Sequence, residues 1–205
     1  MPTDKQRAQT ALRQERFRQR QKKAREREQE EKGLPALPAI PSIPGTARWR
    51  TALLAAVGGL SELDASRIPA PGKWSILGCV EHLGISEDYL FAQIASAPIS
   101  DTPVLNPDRE AKMMARGTDR TRRMESPPEG NPAGAFPTLV AAVAHFLASR
   151  QRTLDFVRSN PPDLRSRMTW HPILKQANCH EMLISICVHT LRHVKQIEEV
   201  KAQLI

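Results

Sequence analysis

The chain has 205 residues, a net charge of +8 and a pI of about 9.9, a size that suits one domain with an appendage. No stretch is apolar for 18 residues, which argues against a membrane span, and the first residues lack the apolar segment of a secretory signal. The three cysteines, Cys79, Cys179 and Cys187, have no CxxC spacing and form no disulfide framework, so a reduced, cytoplasmic protein is expected.

The basicity is unevenly placed. Residues 1–32 hold 11 Lys/Arg against 6 Asp/Glu, a net of +5 that leaves only +3 for the rest of the chain. Residues 1–33 therefore read as a charged arm, helical or disordered. Their helix propensity is high, but Leu12 and Phe17 are the only large apolar residues and offer no face to bury. A phosphate-binding arm that does not read sequence is the functional alternative, though Phe17 alone makes no platform for stacking bases. In residues 34–45, Pro35, Pro38, Pro41 and Pro44 recur every third residue, the repeat of a polyproline II strut, and a semi-rigid linker is expected.

Residues 46–205 read as the folded domain. A first helix is expected from about Thr46 to Leu63 on the spacing of Trp49, Leu53, Leu54, Val57, Leu60 and Leu63, weakened at Gly58 and Gly59. A second follows Trp74, with Ser75 as its N-cap, and runs to about Ala97. Ile76, Val80, Leu83, Leu90 and Ile94 form its stripe, and His82 lies beside that stripe. Residues 98–133 are rich in proline and charge, including Arg120, Arg122 and Arg123, and show no helical period beyond a turn near Lys112–Met114. So long a connection allows the next helix to run parallel to the second. A third helix is expected over Ala135–Arg158, with Pro137 in its first turn and His145 on its flank, stopped by Asn160-Pro161-Pro162. An irregular segment, 163–178, leads to the last helix, Cys179–Gln203.

The last helix carries the chemistry. His189 and His193 sit on its apolar stripe four residues apart, which aims two imidazoles at one point. Two core histidines satisfied by hydrogen bonds are one reading, and a metal pair is the other. His82 is a third inward-facing histidine. As helpers, Glu81 is expected to be exposed, and Glu87 is too far along its helix to be more than a marginal rim residue. His180 falls on the far side of its helix, and His171 is placed to reach a pocket mouth. Cys79 and Cys187 are expected to be small core residues, Gln196 to orient a ligand, and Arg192 to form a surface ion pair.

Two segments together have a family likeness. PGKWSILGCVEHL at 71–83 resembles the second-helix signature of the DinB-like superfamily, a Trp-Ser followed by a histidine. HTLRHVKQIEEV at 189–200 resembles that family's last helix, and SRQRTLDFV at 149–157 and the Trp170-His171-Pro172 segment are similar to the corresponding parts of its members. The resemblance covers about 46–203 and implies an all-α four-helix bundle in up-down-down-up order. It also implies a divalent metal (zinc, nickel or similar) held by His82, His189 and His193. Members of known activity are mostly thiol-dependent transferases and isomerases using bacillithiol, mycothiol or glutathione-like cofactors. A metal-dependent S-transferase or hydrolase acting on a small electrophile is therefore expected, with a low-molecular-weight thiol as a second cofactor and no catalytic side chain singled out. The rivals are a nucleic-acid-associated protein working through its arm, and a metal-holding bundle that serves as an interaction module or homodimer. Similar members often carry a glycine just after the His-Pro, where this chain has Lys175 and Gln176.

Overall fold

The computed structural model describes residues 45–204 apart from 105, 122, 123 and 160–163, and beyond these only Gln19. The charged arm and the proline-rich linker expected at 1–45 thus lie almost wholly outside the described residues. The domain is an up-down-down-up four-helix bundle.

Helix α1 (Gly45–Val57) is followed by a single-turn α2 (Glu62–Ser66). The expectation of one helix to Leu63 is corrected here. The chain turns at Gly59, whose φ of +75° suits a residue without a Cβ, and Leu63 ends up 81% exposed. Lys201 Nζ bonds the carbonyl of Ala56 at 3.0 Å, a cation on the orphan carbonyls of α1.

Helix α3 (Ile76–Ser96) starts where Ser75 Oγ accepts the Gly78 N–H at 3.0 Å. Helix α5 (Leu139–Ser159) runs parallel to α3. Gly84 approaches His145 and Phe146, Glu87 meets Arg150, and Phe91 meets Phe156, so both chains advance together. A Cβ at Gly84 would lie 2.7 Å from His145 Cδ2, so the imidazole occupies the space over this glycine where α3 meets α5. Helix α5 begins at Leu139, not Ala135, and Pro137 precedes it. Thr138 Oγ1 accepts the Ala141 N–H at 3.1 Å, and the Glu62 carboxylate of α2 accepts the Leu139 N–H at 2.7 Å.

Helix α6 (Cys179–Leu204) runs antiparallel to α3, its first residue near Ile94 and its middle near His82. One apolar cluster joins the four long helices: Leu53 and Val57 from α1, Ile76, Val80 and Leu83 from α3, Phe146 from α5, and Ile197 and Val200 from α6.

The connection between α3 and α5 is more ordered than its composition predicts. It contains α4 (Pro107–Arg116), capped by Asn106 Oδ1 on the Arg109 N–H at 2.9 Å. This helix packs through charge: Arg109 is paired with the buried Glu181, and Glu110 lies 2.9 Å from His180 and 3.1 Å from Arg165. The turn expected near Lys112–Met114 is the later part of this helix. The segment expected to be irregular at 163–178 holds a hairpin, β1 (Met168–His171) with β2 (Lys175–Asn178), antiparallel with Met168 opposite Asn178. Lys175 takes the left-handed conformation (φ +65°) at the place where a glycine was expected, and its Nζ donates to the Pro172 carbonyl at 2.9 Å.

Candidate metal and substrate site

His82 projects from the middle of α3, and His189 and His193 from successive turns of α6. Their rings converge. His82 Nε2 lies 2.9 Å from His189 Nε2, and His193 Nε2 lies 3.0 Å from the same atom. They form the group of ligand atoms within reach of one ion among the described residues.

The support around them is specific. His82 Nδ1–H donates to the Gly130 carbonyl at 2.5 Å, from a 3-10 turn at Pro128–Gly130 in the crossover. This leaves the His82 Nε2 lone pair facing the other two rings. Trp74, which precedes α3, lies 4.7 Å from the His82 ring and stacks on His193 with centroids 6.0 Å apart. Burial depresses all three imidazole pKa values: His82 below its usual range, His189 to about 3 and His193 well below normal, the neighbouring rings adding to the effect on the last two. All three are neutral at pH 7, the form that binds metal.

The donor set fits a divalent ion. With His82 Nε2 unprotonated, one proton on His189 Nε2 has two lone pairs to face, and His193 must keep its own proton on Nδ1. That Nδ1 is buried without a hydrogen-bond partner. One of the two lone pairs therefore goes unmet by hydrogen bonding within the cluster, whereas a cation would accept all three; the His193 Nδ1–H has no partner in either case. Imidazole nitrogens lie ~2.0–2.1 Å from ions of the zinc type.

The cluster lies in an open pocket of about 1120 Å³. Trp74, Tyr89, Trp170 and Ile173 supply apolar wall, and Ser185, Arg192, Gln196 and Arg120 supply polar groups. Several helpers fall elsewhere than expected. Glu81 is buried, not exposed, because the crossover folds over it and the Ala133 and Ala135 N–H groups bond its carboxylate at 2.7 and 3.1 Å. Glu87 is buried against Arg150 at 2.7 Å and does not reach the rim. Arg192 is buried, not on the surface, and donates to the Asp119 carbonyl. Gln196 accepts from Arg120 at 3.1 Å, and Arg120 also grips Glu199 at 2.7 and 2.8 Å, so Gln196 fastens the crossover.

His171 does line the pocket, and His180 is held by Glu110 on the opposite side of α6. His145 is apart from the site, 2.9 Å from Asp88. Burial pushes the Cys79 and Cys187 thiols up to about 12, which suits core residues and not nucleophiles. Sequence reasoning missed Ser185 and the Gly130 carbonyl. Ser185 stands one turn before His189 and was legible from that spacing, but nothing local marks Gly130.

Four helices around a three-histidine cluster define the class, and the comparisons give the family. The model of the DinB superfamily matches residues 46–197, and the chain belongs to that superfamily. Among solved structures, the chain is similar to "YfiT from Bacillus subtilis", titled "a probable metal-dependent hydrolase with an unusual four-helix bundle topology". The TM-score is 0.53 at 14% identity, covering 82% of this chain and 89% of that one. TT2238, "a four-helix bundle protein", aligns with a TM-score of 0.48 at 16% identity, covering 78% of this chain and 97% of that one. No curated protein matches.

Proposed function

We propose that residues 46–205 are a metal-dependent enzyme domain in which His82, His189 and His193 hold a divalent ion, and that it acts on a small electrophile by thiol S-transfer or hydrolysis. The observation that carries this reading is the meeting of three neutral imidazole nitrogens, from the buried His82 and His193 and the half-buried His189, at an open pocket. Three protein ligands leave positions for other molecules, the arrangement of catalytic more often than structural sites. A divalent ion bound there supplies Lewis acidity, lowering the pKa of a thiol or water to give a nucleophile at neutral pH.

The chain's own residues do the rest. Gly130 fixes the His82 tautomer, and Trp74 covers one side of the cluster. The pocket is large enough for an electrophile and a small thiol together. The description of YfiT as a probable metal-dependent hydrolase agrees with this reading. In this scheme the arm at 1–33 and the linker at 34–45 stand outside the catalytic domain, in a cytoplasmic protein that works without them.

Metal analysis of the purified full-length chain tests the site. One ion per chain is expected, lost on His82→Ala. A screen with bacillithiol, mycothiol and glutathione against small electrophiles, run beside an ester-hydrolysis screen, separates transfer from hydrolysis. A chain that holds no divalent ion would overturn the reading.

A further inference from the structure

His171 and Ser185 form a pair that the metal chemistry leaves unused. His171, at the end of β1, is buried. Its Nδ1 accepts the Ile173 N–H at 3.0 Å and the Leu174 N–H at 3.1 Å. Backbone N–H groups are obligate donors, so Nδ1 carries no proton, and the neutral ring must carry it on Nε2. Nε2 lies 2.9 Å from Ser185 Oγ and therefore donates to it. Burial lowers the His171 pKa to about 4, in keeping with a neutral ring.

This fixes the role left to Ser185. Its oxygen is an acceptor toward His171, which frees the hydroxyl hydrogen to donate. Helical serines and threonines commonly spend that hydrogen on the carbonyl four residues back, as Thr190 does on Ile186 (3.1 Å) and Thr153 on Ser149 (3.2 Å). Ser185 makes no such bond among the described residues, and its side chain lines the pocket one turn before His189.

We propose that the Ser185 hydroxyl donates a hydrogen bond to an oxygen acceptor of the substrate, a carbonyl or similar group beside the reacting atom, and that His171 is the positioning residue that aims it. This rests on the three-histidine site proposed above and adds a substrate class: electrophiles that carry an oxygen acceptor next to the centre attacked.

Acetohydroxamate, which approaches a metal through two oxygens, and 2-mercaptoethanol, whose metal-seeking atom is sulfur, serve as probes. The full-length chain is loaded with Co²⁺, and each probe is titrated by its effect on the Co²⁺ absorbance. For Ser185→Ala we expect unchanged Co²⁺ affinity, unchanged 2-mercaptoethanol binding and acetohydroxamate binding weakened about tenfold, the loss of one hydrogen bond. Equal effects on both probes, or no effect on either, would overturn the assignment while leaving the metal site standing. Failure to bind Co²⁺ would overturn the metal site and this assignment with it. Independently, ¹⁵N NMR of His171 at pH 7 should show the proton on Nε2. A ring protonated on Nδ1, or on both nitrogens, would also overturn it.

Discussion

The three imidazoles are held with unequal firmness. His82 is anchored by the Gly130 carbonyl, while His193 has its Nδ1 buried without a partner. Replacing any one of the three with Ala should abolish stoichiometric metal, whereas His145→Ala, which loses contacts to Asp88 and Phe136 away from the site, should keep it; metal content of the purified variants decides. Acid should act on the metal-free protein too. The pKa values of His82, His171, His180, His189 and His193 are all depressed by burial. Above the ordinary pKa of about 6.5 the folded and unfolded chains are both neutral at these sites, and no stability is lost. Below it the unfolded chain takes up protons that the folded chain refuses, so stability falls as pH drops from about 6.5 toward 4. His171 alone, lowered to about 4, accounts for roughly 3 kcal/mol across that window. Melting temperatures of metal-free protein that stay level between pH 7 and pH 4 would contradict this. The pairing of His189 with His193 was legible from spacing on one helix face, while His82 joined them only through the family resemblance. The acceptor of the His82 proton was not legible, since Gly130 is 48 residues away and contributes only backbone.

At the level of elements, apolar period was a sound guide where helices pack through apolar stripes and a poor one where they pack through charge. The stripes of α3, α5 and α6 marked three helices of the bundle. Helix α4 and the hairpin escaped because ion pairs to α6 and a histidine side chain inside the turn hold them. The α3–α5 contact contains such a polar element within the bundle. Glu87 and Arg150 are both almost fully buried, 2.7 Å apart, with Arg150 Nη2 on Thr190 at 2.8 Å and its guanidinium 5.2 Å from the Phe146 ring. Arg150→Met would strand a buried carboxylate and should cost about 3–5 kcal/mol. The Glu87→Gln, Arg150→Met double variant should recover much of that loss. Urea denaturation of the single and double variants measures the coupling, and simple additivity of their effects would show that the pair does not act as a unit.

For the molecule as a whole, the domain proposed at 46–205 should be self-sufficient. Its core is assembled from residues between Leu53 and Val200, and the net charge of the chain is concentrated outside it. A chain starting at Gly45 should melt within about 2–4 °C of the full-length protein and keep its metal; a larger fall would show that the arm packs on the bundle. Nucleic-acid binding by the full-length chain should be weak and should vanish as salt is raised, because the 11 cations of residues 1–32 are offset by 6 anions and no aromatic platform accompanies them. Sequence-selective binding that persists at ~0.3 M salt would contradict that expectation.

The Gly130 carbonyl ties the three-histidine site to the crossover, and such a tie works in both directions. A ligand that favours the anchored orientation of His82 must also favour the closed state of the turn that anchors it. Loading the site should therefore slow amide exchange at Gly130 and Asn131, whose N–H groups bond the Pro127 and Pro128 carbonyls. It should also slow proteolytic nicking of the crossover, while the far end of α5 is little affected. Conversely, a cut in the crossover should loosen the ion without touching any of its ligands. The protection of one loop from a protease would thus report how full the site is.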